Sequence, residues 1–196
     1  VSFSLPSEIG SRHQEQGTVL VYLRHHLSEM NIPEHLASRL QEHIKIVARN
    51  NSVSIRDIGK ILSSITLLKG DILEKNRVMN GWIEVTVALI VSKVLRPDLY
   101  QKFLSATVSE SDLEQYFDAS LTRRTRELDD ERNPDFDHYT WAQFNIWILL
   151  SNNGRLLEGS PDNAQTFIKQ FDSWGELDDP GSIPKSANRQ WIDLFK

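Results

Sequence analysis

The chain has 196 residues, of which 39% are hydrophobic and 25% charged, and its formal net charge is −5. This is the composition of a globular protein, so it excludes a chain that is disordered throughout, and the acidic balance gives no overall attraction to nucleic-acid phosphates. The absence of cysteine excludes disulfides, thiolate catalysis and Cys-ligated metal sites, and it makes the cytoplasm the expected compartment.

The N-terminal segment predicts the end of a β-strand. Residues 1–6 alternate apolar and polar side chains and then reach Pro6, which cannot continue a sheet ladder. The next hundred residues contain no pattern that could supply a partner strand, so the partners of this strand are expected upstream of Val1. The first methionine is Met30. We therefore expect the chain to be a piece cut from a longer protein.

A helical pattern follows from Glu15 onward. The first two helices carry apolar residues at spacings of three and four, and Pro33 separates them. Ser54, followed three residues later by Asp57, predicts the N-cap of a third helix. A fourth, long helix is predicted from about Arg77 to Leu95 and is apolar on most faces, so we expect it to be the most buried element. Two shorter helices follow, the first after Pro97 and the second capped by Ser109.

The composition changes after Asp118. Residues 122–137 are dense in charges of both signs and predict a solvated helix surface and a loop, whereas residues 141–150 predict an apolar helix. A further helix is predicted at 162–171 and a loop at 178–181. The sequence therefore predicts an all-α protein, a multi-helix orthogonal bundle, with one helical domain at residues 11–117 and a second helical region at residues 118–196. The longest apolar run, residues 85–95, is far shorter than the roughly 20 residues that span a bilayer, so we expect no membrane anchor.

The sequence contains no complete catalytic or metal-binding motif. Gly59-Lys60 lacks the earlier glycine of a phosphate-binding loop and lies within a predicted helix. The histidines and neighbouring carboxylates of the first two helices match no zinc spacing, so we expect these histidines at the surface. An acidic run at residues 129–135 imitates a calcium loop but has Pro134 where that loop needs glycine. No Ser-His-Asp grouping lies in a nucleophile-elbow context.

Arg56 is the residue with the clearest candidate function. It lies in the first turn of the third predicted helix, where a cation opposes the helix dipole and gains no stability from it. A forked, always-charged guanidinium in this position can bind a phosphate or a carboxylate across a cleft. The alternative is an ordinary surface or ion-pairing arginine.

Three segments resemble KAP-type P-loop NTPases. Residues 1–6 resemble the last strand of the nucleotide-binding core in that family, which ends in Leu-Pro. Residues 52–62 resemble its helix with an Arg-Asp-Ile centre, and residues 95–100 resemble its later motif of Pro, an acidic residue, Leu and Tyr. The resemblance covers about residues 1–117.

This resemblance implies that residues 1–10 end a P-loop core that lies upstream, and that residues 11–117 form a lid-like helical domain. It also implies that ATP and Mg²⁺ are bound mainly by that core, with Arg56 sensing the terminal phosphates and Lys60 as a weaker candidate. The fragment itself lacks the Walker A and B elements, and the implied parent is an ATPase. The absence of a spanning segment favours the soluble bacterial, antiviral branch of the family.

The implied partners are the upstream core, further copies of the chain and a protein that binds residues 118–196. The first alternative is a stand-alone helical interaction module without nucleotide chemistry, which an exposed apolar strip on residues 140–171 would favour. The second is a nucleic-acid-binding helical domain, which depends on five cations interleaved with acids and ranks last. These cations are Lys102, Arg123, Arg124, Arg126 and Arg132.

Overall fold

A computed structural model describes residues 8–68, 70–74, 80–118, 138–151 and 180–192 of the chain. The predicted strand at residues 1–6, the charged segment at residues 122–137 and the predicted helix at residues 162–171 lie outside these ranges. In the ranges that are described, the chain is all-helical and contains no β-strand, so the predicted all-α class is confirmed for them.

These ranges contain eight α-helices. They are α1 (Glu8–Glu29), α2 (Glu34–Val47), α3 (Ile55–Thr66), α4 (Asn80–Leu95), α5 (Pro97–Ser105), α6 (Glu110–Phe117), α7 (His138–Ser151) and α8 (Ile183–Ala187). Two 3₁₀ turns lie at Gly70–Leu73 and Pro180–Ser182, and a π-helical turn at Asn188–Ile192 follows α8 directly.

Helix α1 begins at Glu8, earlier than the predicted start at Glu15. Between these two positions Ile9 is the only aliphatic side chain, so hydrophobic periodicity could not reveal the first turns of the helix. Helix α4 ends at Leu95, immediately before Arg96 and Pro97, as predicted.

Both predicted serine caps are present. Ser54 Oγ accepts a hydrogen bond from the Asp57 backbone N–H at 3.2 Å, and the Asp57 carboxylate accepts one from the Ser54 N–H at 3.2 Å. Ser109 and Asp112 form the same reciprocal pair at the start of α6. Aspartate thus takes the place that glutamate or glutamine usually has in a capping box. The two caps define the residues at which α3 and α6 begin.

Helix α4 is the centre of the molecule. All twelve residues from Gly81 to Ser92 are buried, and the helix packs against α2, α3, α5 and α8. The hydroxyls of Thr86 and Ser92 are satisfied inside this apolar environment because they donate to the carbonyls of Trp82 and Leu89. The prediction that this helix is the most buried element is confirmed.

The C-terminal segment shares the same hydrophobic core as the first six helices. Trp191 packs edge-on against Trp82 with ring centroids 5.6 Å apart. The Tyr100 hydroxyl donates to the Asn188 side-chain oxygen at 2.8 Å. Residues 180–192 therefore close the core beside α4 and α5.

Candidate functional site

Arg56 lies in the first turn of α3 with its side chain exposed. No hydrogen bond or ion pair to the Arg56 guanidinium occurs within the part of the chain that the structure describes. The capping box of Ser54 and Asp57 fixes the backbone from which Arg56 projects. Among the described residues the guanidinium therefore has no partner, and the helix end that carries it is fixed by the cap.

Helix α3 divides into a buried face and an exposed face. Ile58, Ile61, Leu62 and Ile65 are buried on the side toward α1 and α4. Arg56, Gly59 and Ser63 lie one turn apart on the other side. Ile55 lies outside the buried face and is 45% exposed, because the buried residues of α3 start at Ile58.

Lys60 lies on the exposed face near Arg56, but its charge has a partner. Its Nζ lies 3.7 Å from Asp57 Oδ1. Partial burial alone would raise the pKa of Asp57, but hydrogen bonds from Ser54 and the neighbouring Lys60 charge lower it below its ordinary value. Of the two predicted site residues, Arg56 is thus the one that has no charged partner among the described residues.

The prediction that the histidines lie at the surface is wrong for His43. His43 is completely buried, and its Nε2 lies 3.2 Å from the Tyr116 hydroxyl. Burial lowers the pKa of His43 to about 3, so the imidazole is neutral in the folded protein at neutral pH. His43 follows Leu40 by three residues and precedes Val47 by four, so it falls on the buried stripe of α2, but a polar side chain adds nothing to the hydrophobic periodicity.

The exposed His25 and the partly buried His26 both contact Glu29, at 3.4 and 3.1 Å. In the described ranges no set of three His, Asp or Glu side chains is arranged to hold a metal ion. A surface cleft of about 360 Å³ lies beside the start of α2 and is lined by Pro33, Glu34, His35, Ser38 and Leu73. The His35 Nε2 in this cleft is occupied, since it lies 3.0 Å from the Ile72 carbonyl oxygen.

The nucleic-acid alternative depends on five cations, and Lys102 is the one of them that lies in the described ranges. This lysine is paired. Lys102 Nζ lies 2.5 Å from Asp112 Oδ1, so its charge is already neutralised within the molecule. The four arginines of that alternative, at positions 123, 124, 126 and 132, lie outside the ranges that the structure describes.

A buried polar cluster joins three helices and was not predicted. The Glu84 carboxylate on α4 is 8% exposed, and one of its oxygens lies 3.0 Å from Arg39 Nε on α2. The Gln143 side chain on α7 donates to the other oxygen. The signal that could have revealed this cluster is Glu84 itself, a lone charge in the run of apolar residues from Trp82 to Val91.

The described residues thus define an all-helical unit in which Arg56 is exposed at a capped helix start and has no ion-pair partner among these residues. No family model, curated protein or solved structure matches the chain. Among the described helices, none combines the length and the apolar character that crossing a membrane requires.

Proposed function

We propose that the chain is the helical regulatory region of a P-loop ATPase and that Arg56 contacts the terminal phosphates of ATP. In this proposal an α/β core binds the nucleotide and Mg²⁺. Residues 1–6 are the last strand of that core. The helices form an orthogonal lid over that core. The resemblance of residues 1–6, 52–62 and 95–100 to KAP-type NTPases supports the proposal. The observation that carries it is the exposed Arg56 guanidinium, which has no partner among the described residues.

The position of Arg56 argues for an external anion. A cation in the first turn of a helix faces the positive end of the helix dipole, so the position costs stability rather than adding it. Within the described residues no carboxylate compensates this charge. A phosphate that enters from outside would both satisfy the guanidinium and interact favourably with the helix start.

The mechanism follows from this contact. A γ-phosphate attracts Arg56 and favours the position in which the helical unit lies close to the nucleotide, and hydrolysis removes that attraction. Helix α4 packs against both α3 and α8. A displacement of α3 is therefore passed on through α4 toward the C-terminal segment. Residues 118–196 would then present the nucleotide state to a protein partner or to further copies of the chain.

We expect Arg56→Ala to lower ATP turnover at least tenfold in the natural full-length protein, because an arginine on the transferred phosphate contributes orders of magnitude to the rate. The free energy of unfolding should change by less than about 0.5 kcal/mol, since the side chain is exposed and unpaired. Turnover is measured with a coupled phosphate-release assay, and stability by urea unfolding. Arg56→Lys should restore only part of the activity.

Arg24→Ala is the matched control, because Arg24 is an exposed arginine on α1. Its turnover should equal that of the unmodified protein. Equal turnover of Arg56→Ala and Arg24→Ala, or a natural protein that neither binds nor hydrolyses ATP, would contradict the proposal.

The competing interaction module depends on an exposed apolar strip along residues 140–171. Within the described part of this segment, Gln143, Phe144 and residues 146–150 are buried. Helix α7 thus contributes its apolar side chains from Phe144 to Leu150 to the core of this chain. Residues 142–151, the part of this segment whose burial the structure describes, thus show no exposed apolar strip of the kind that the interaction module requires.

A further inference from the structure

Three polar contacts hold the C-terminal end of α6 against α2 and the turn that follows it. The Asn50 side-chain amide donates to the Gln115 carbonyl at 2.6 Å, and the Asn51 amide donates to the Tyr116 carbonyl at 2.8 Å. His43 Nε2 lies 3.2 Å from the Tyr116 hydroxyl. The last carbonyls of a helix have no partner within the helix, so the two asparagines satisfy the end of α6. We call the set of His43, Asn50 and Asn51 the α6 latch.

The latch closes over aromatic side chains. Tyr116 and Phe117 are fully buried, and both rings lie within 6 Å of the His43 ring, measured between centroids. Phe103 on α5 contacts Tyr116 edge-on and stacks on Trp147 of α7, with centroids 3.9 Å apart. Separation of the last turn of α6 from α2 would therefore bring water to His43 and to this aromatic cluster together.

His43 is the member of the latch that can gain a charge near neutral pH. Burial lowers its pKa to about 3 in the closed structure, whereas an imidazole in water has a pKa near 6.5. Burial raises the pKa of Tyr116 above its ordinary value, so the hydroxyl keeps its proton. An open latch thus binds a proton that the closed latch excludes, and its population rises as the pH falls below 6.5.

The charged groups on the other elements around α2 are paired or lie toward solvent. Glu84 on α4 is paired with Arg39, and the charge of Arg96, which acts on Tyr116, lies 3.0 Å from Asp98. Helix α7 carries no titratable side chain in residues 142–151. In residues 17–29 of α1 the titratable side chains are exposed or partly exposed, and they are Tyr22, Arg24, His25, His26 and Glu29.

The N-terminal end of α6 is held in a different way. Lys102 on α5 pairs with Asp112, which also forms the capping box with Ser109. Partial burial would raise the pKa of Asp112, but hydrogen bonds from Lys102 and Ser109 lower it to about 2. Asp112 therefore stays ionised at pH 5, and Glu110 and Glu114 on the same helix are partly exposed. Mild acid thus weakens one end of α6 and leaves the other fixed.

We propose that the α6 latch is an acid-sensitive conformational switch, in which uptake of a proton by His43 releases the last turn of α6 from α2 while the Asp112 end stays in place. Helix α6 is short, and it packs mainly against α2 and α7, whereas α4 packs against four helices. Its last turn can therefore open without the rest of the core. The inference does not depend on nucleotide binding, so it goes beyond the proposed function.

The labelling of a buried thiol measures how often the latch opens. The 196-residue chain contains no cysteine. Phe117→Cys places a thiol under the latch, and Val87→Cys places one in the core on α4, both at fully buried positions. The rate of labelling by a pyridyl disulfide is divided by the rate in the urea-unfolded protein at the same pH, which removes the reactivity of the thiol itself. The variants are made in the natural full-length protein, and mass spectrometry identifies the labelled peptide.

The relative labelling rate at position 117 should rise about 30-fold between pH 7.5 and pH 5.0, because the open form gains the proton of an imidazole with a pKa near 6.5. Adding His43→Gln should remove this rise, and adding His25→Gln, at an exposed position, should keep it. Adding Asn51→Ala should raise the rate about fivefold at both pH values, because it removes a hydrogen bond of the latch but no titrating group.

Three outcomes would overturn the inference. A rise with acid that His43→Gln leaves in place would assign the effect to another group. An urea dependence as steep at position 117 as at position 87 would show that the whole molecule opens, since this slope scales with the surface exposed. An unchanged rate in Asn51→Ala would show that the latch does not hold the end of α6. The last two measurements decide the question even where His43→Gln does not fold.

Discussion

The buried His43 makes the stability of this chain depend on pH. The side chain of His43 lies between Tyr116 and Phe117, with ring centroids 5.9 and 5.6 Å away. Burial lowers the pKa of His43 from 6.5 to about 3. The unfolded chain therefore binds a proton below pH 6.5 that the native chain excludes. The contribution of neutral His43 to stability is complete above pH 6.5 and is lost progressively as the pH falls toward 3.

We expect the free energy of unfolding to fall by about 2 kcal/mol between pH 7.5 and pH 5.0 because of this group. His43→Gln keeps a side chain that can bond to Tyr116 but cannot titrate, so it should remove this difference. Urea unfolding at several pH values measures it. His25→Gln, at an exposed position, should keep the pH dependence of the unmodified protein, and a His43→Gln variant that also keeps it would contradict the assignment.

At the scale of elements, the Glu84 cluster connects α2, α4 and α7 across the core. A carboxylate this deeply buried needs charged or hydrogen-bonded partners, and here Arg39 and Gln143 supply them. The pair is partly open to water, since the Arg39 side chain is 39% exposed. Loss of Arg39 should therefore cost less than breaking a fully buried ion pair.

Arg39→Met keeps the aliphatic packing and removes the charge, and we expect it to lower the free energy of unfolding by about 2 kcal/mol at pH 7.5. In the double variant with Glu84→Gln the loss should be smaller than the sum of the two single losses, because the buried charge is then absent. Lys45→Met on the same helix is the control, since its partner Glu42 lies 4.0 Å away at the surface. Equal effects of Arg39→Met and Lys45→Met would show that the cluster contributes nothing.

At the scale of the whole molecule, residues 180–192 complete the core rather than extend away from it. Ile183, Ala187 and Trp191 are buried, and Trp191 is 1% exposed. The contact between Trp191 and Trp82 joins positions that are far apart in the sequence but adjacent beside α4. The stability of the first six helices should therefore depend on this segment.

Trp191→Ala should lower the free energy of unfolding by about 3–5 kcal/mol, the usual cost of removing a large aromatic side chain from a core. Arg189→Ala, at an exposed position in the same turn, should change it by less than about 0.5 kcal/mol. Urea unfolding followed by circular dichroism measures both. A Trp191→Ala variant as stable as Arg189→Ala would contradict the packing of this segment.

The predictions that succeeded depend on local sequence. Ser54 and Ser109 cap helices through residues three positions away, and Pro97 lies in the first turn of α5. Arg56 at the exposed start of a helix also follows from local sequence. His43 was misplaced because its partner Tyr116 is 73 residues away, and residues 180–192 were not predicted as helical because their core contact requires Trp82. The exposed face around Gly59 appears only once the buried face of α3 is known.

The burial of α4 from Gly81 to Ser92 also determines how the chain opens to solvent. A helix with a solvent-exposed face exchanges its amide hydrogens through small local fluctuations. Helix α4 has no such face between Gly81 and Ser92. Its amides become accessible to deuterium only when α2, α3, α5 and α8 separate from it together. The slowest-exchanging amide hydrogens of α4 thus report the opening of the entire helical unit. The amide hydrogens of α3 near Arg56 report only the local opening of the first turn of α3.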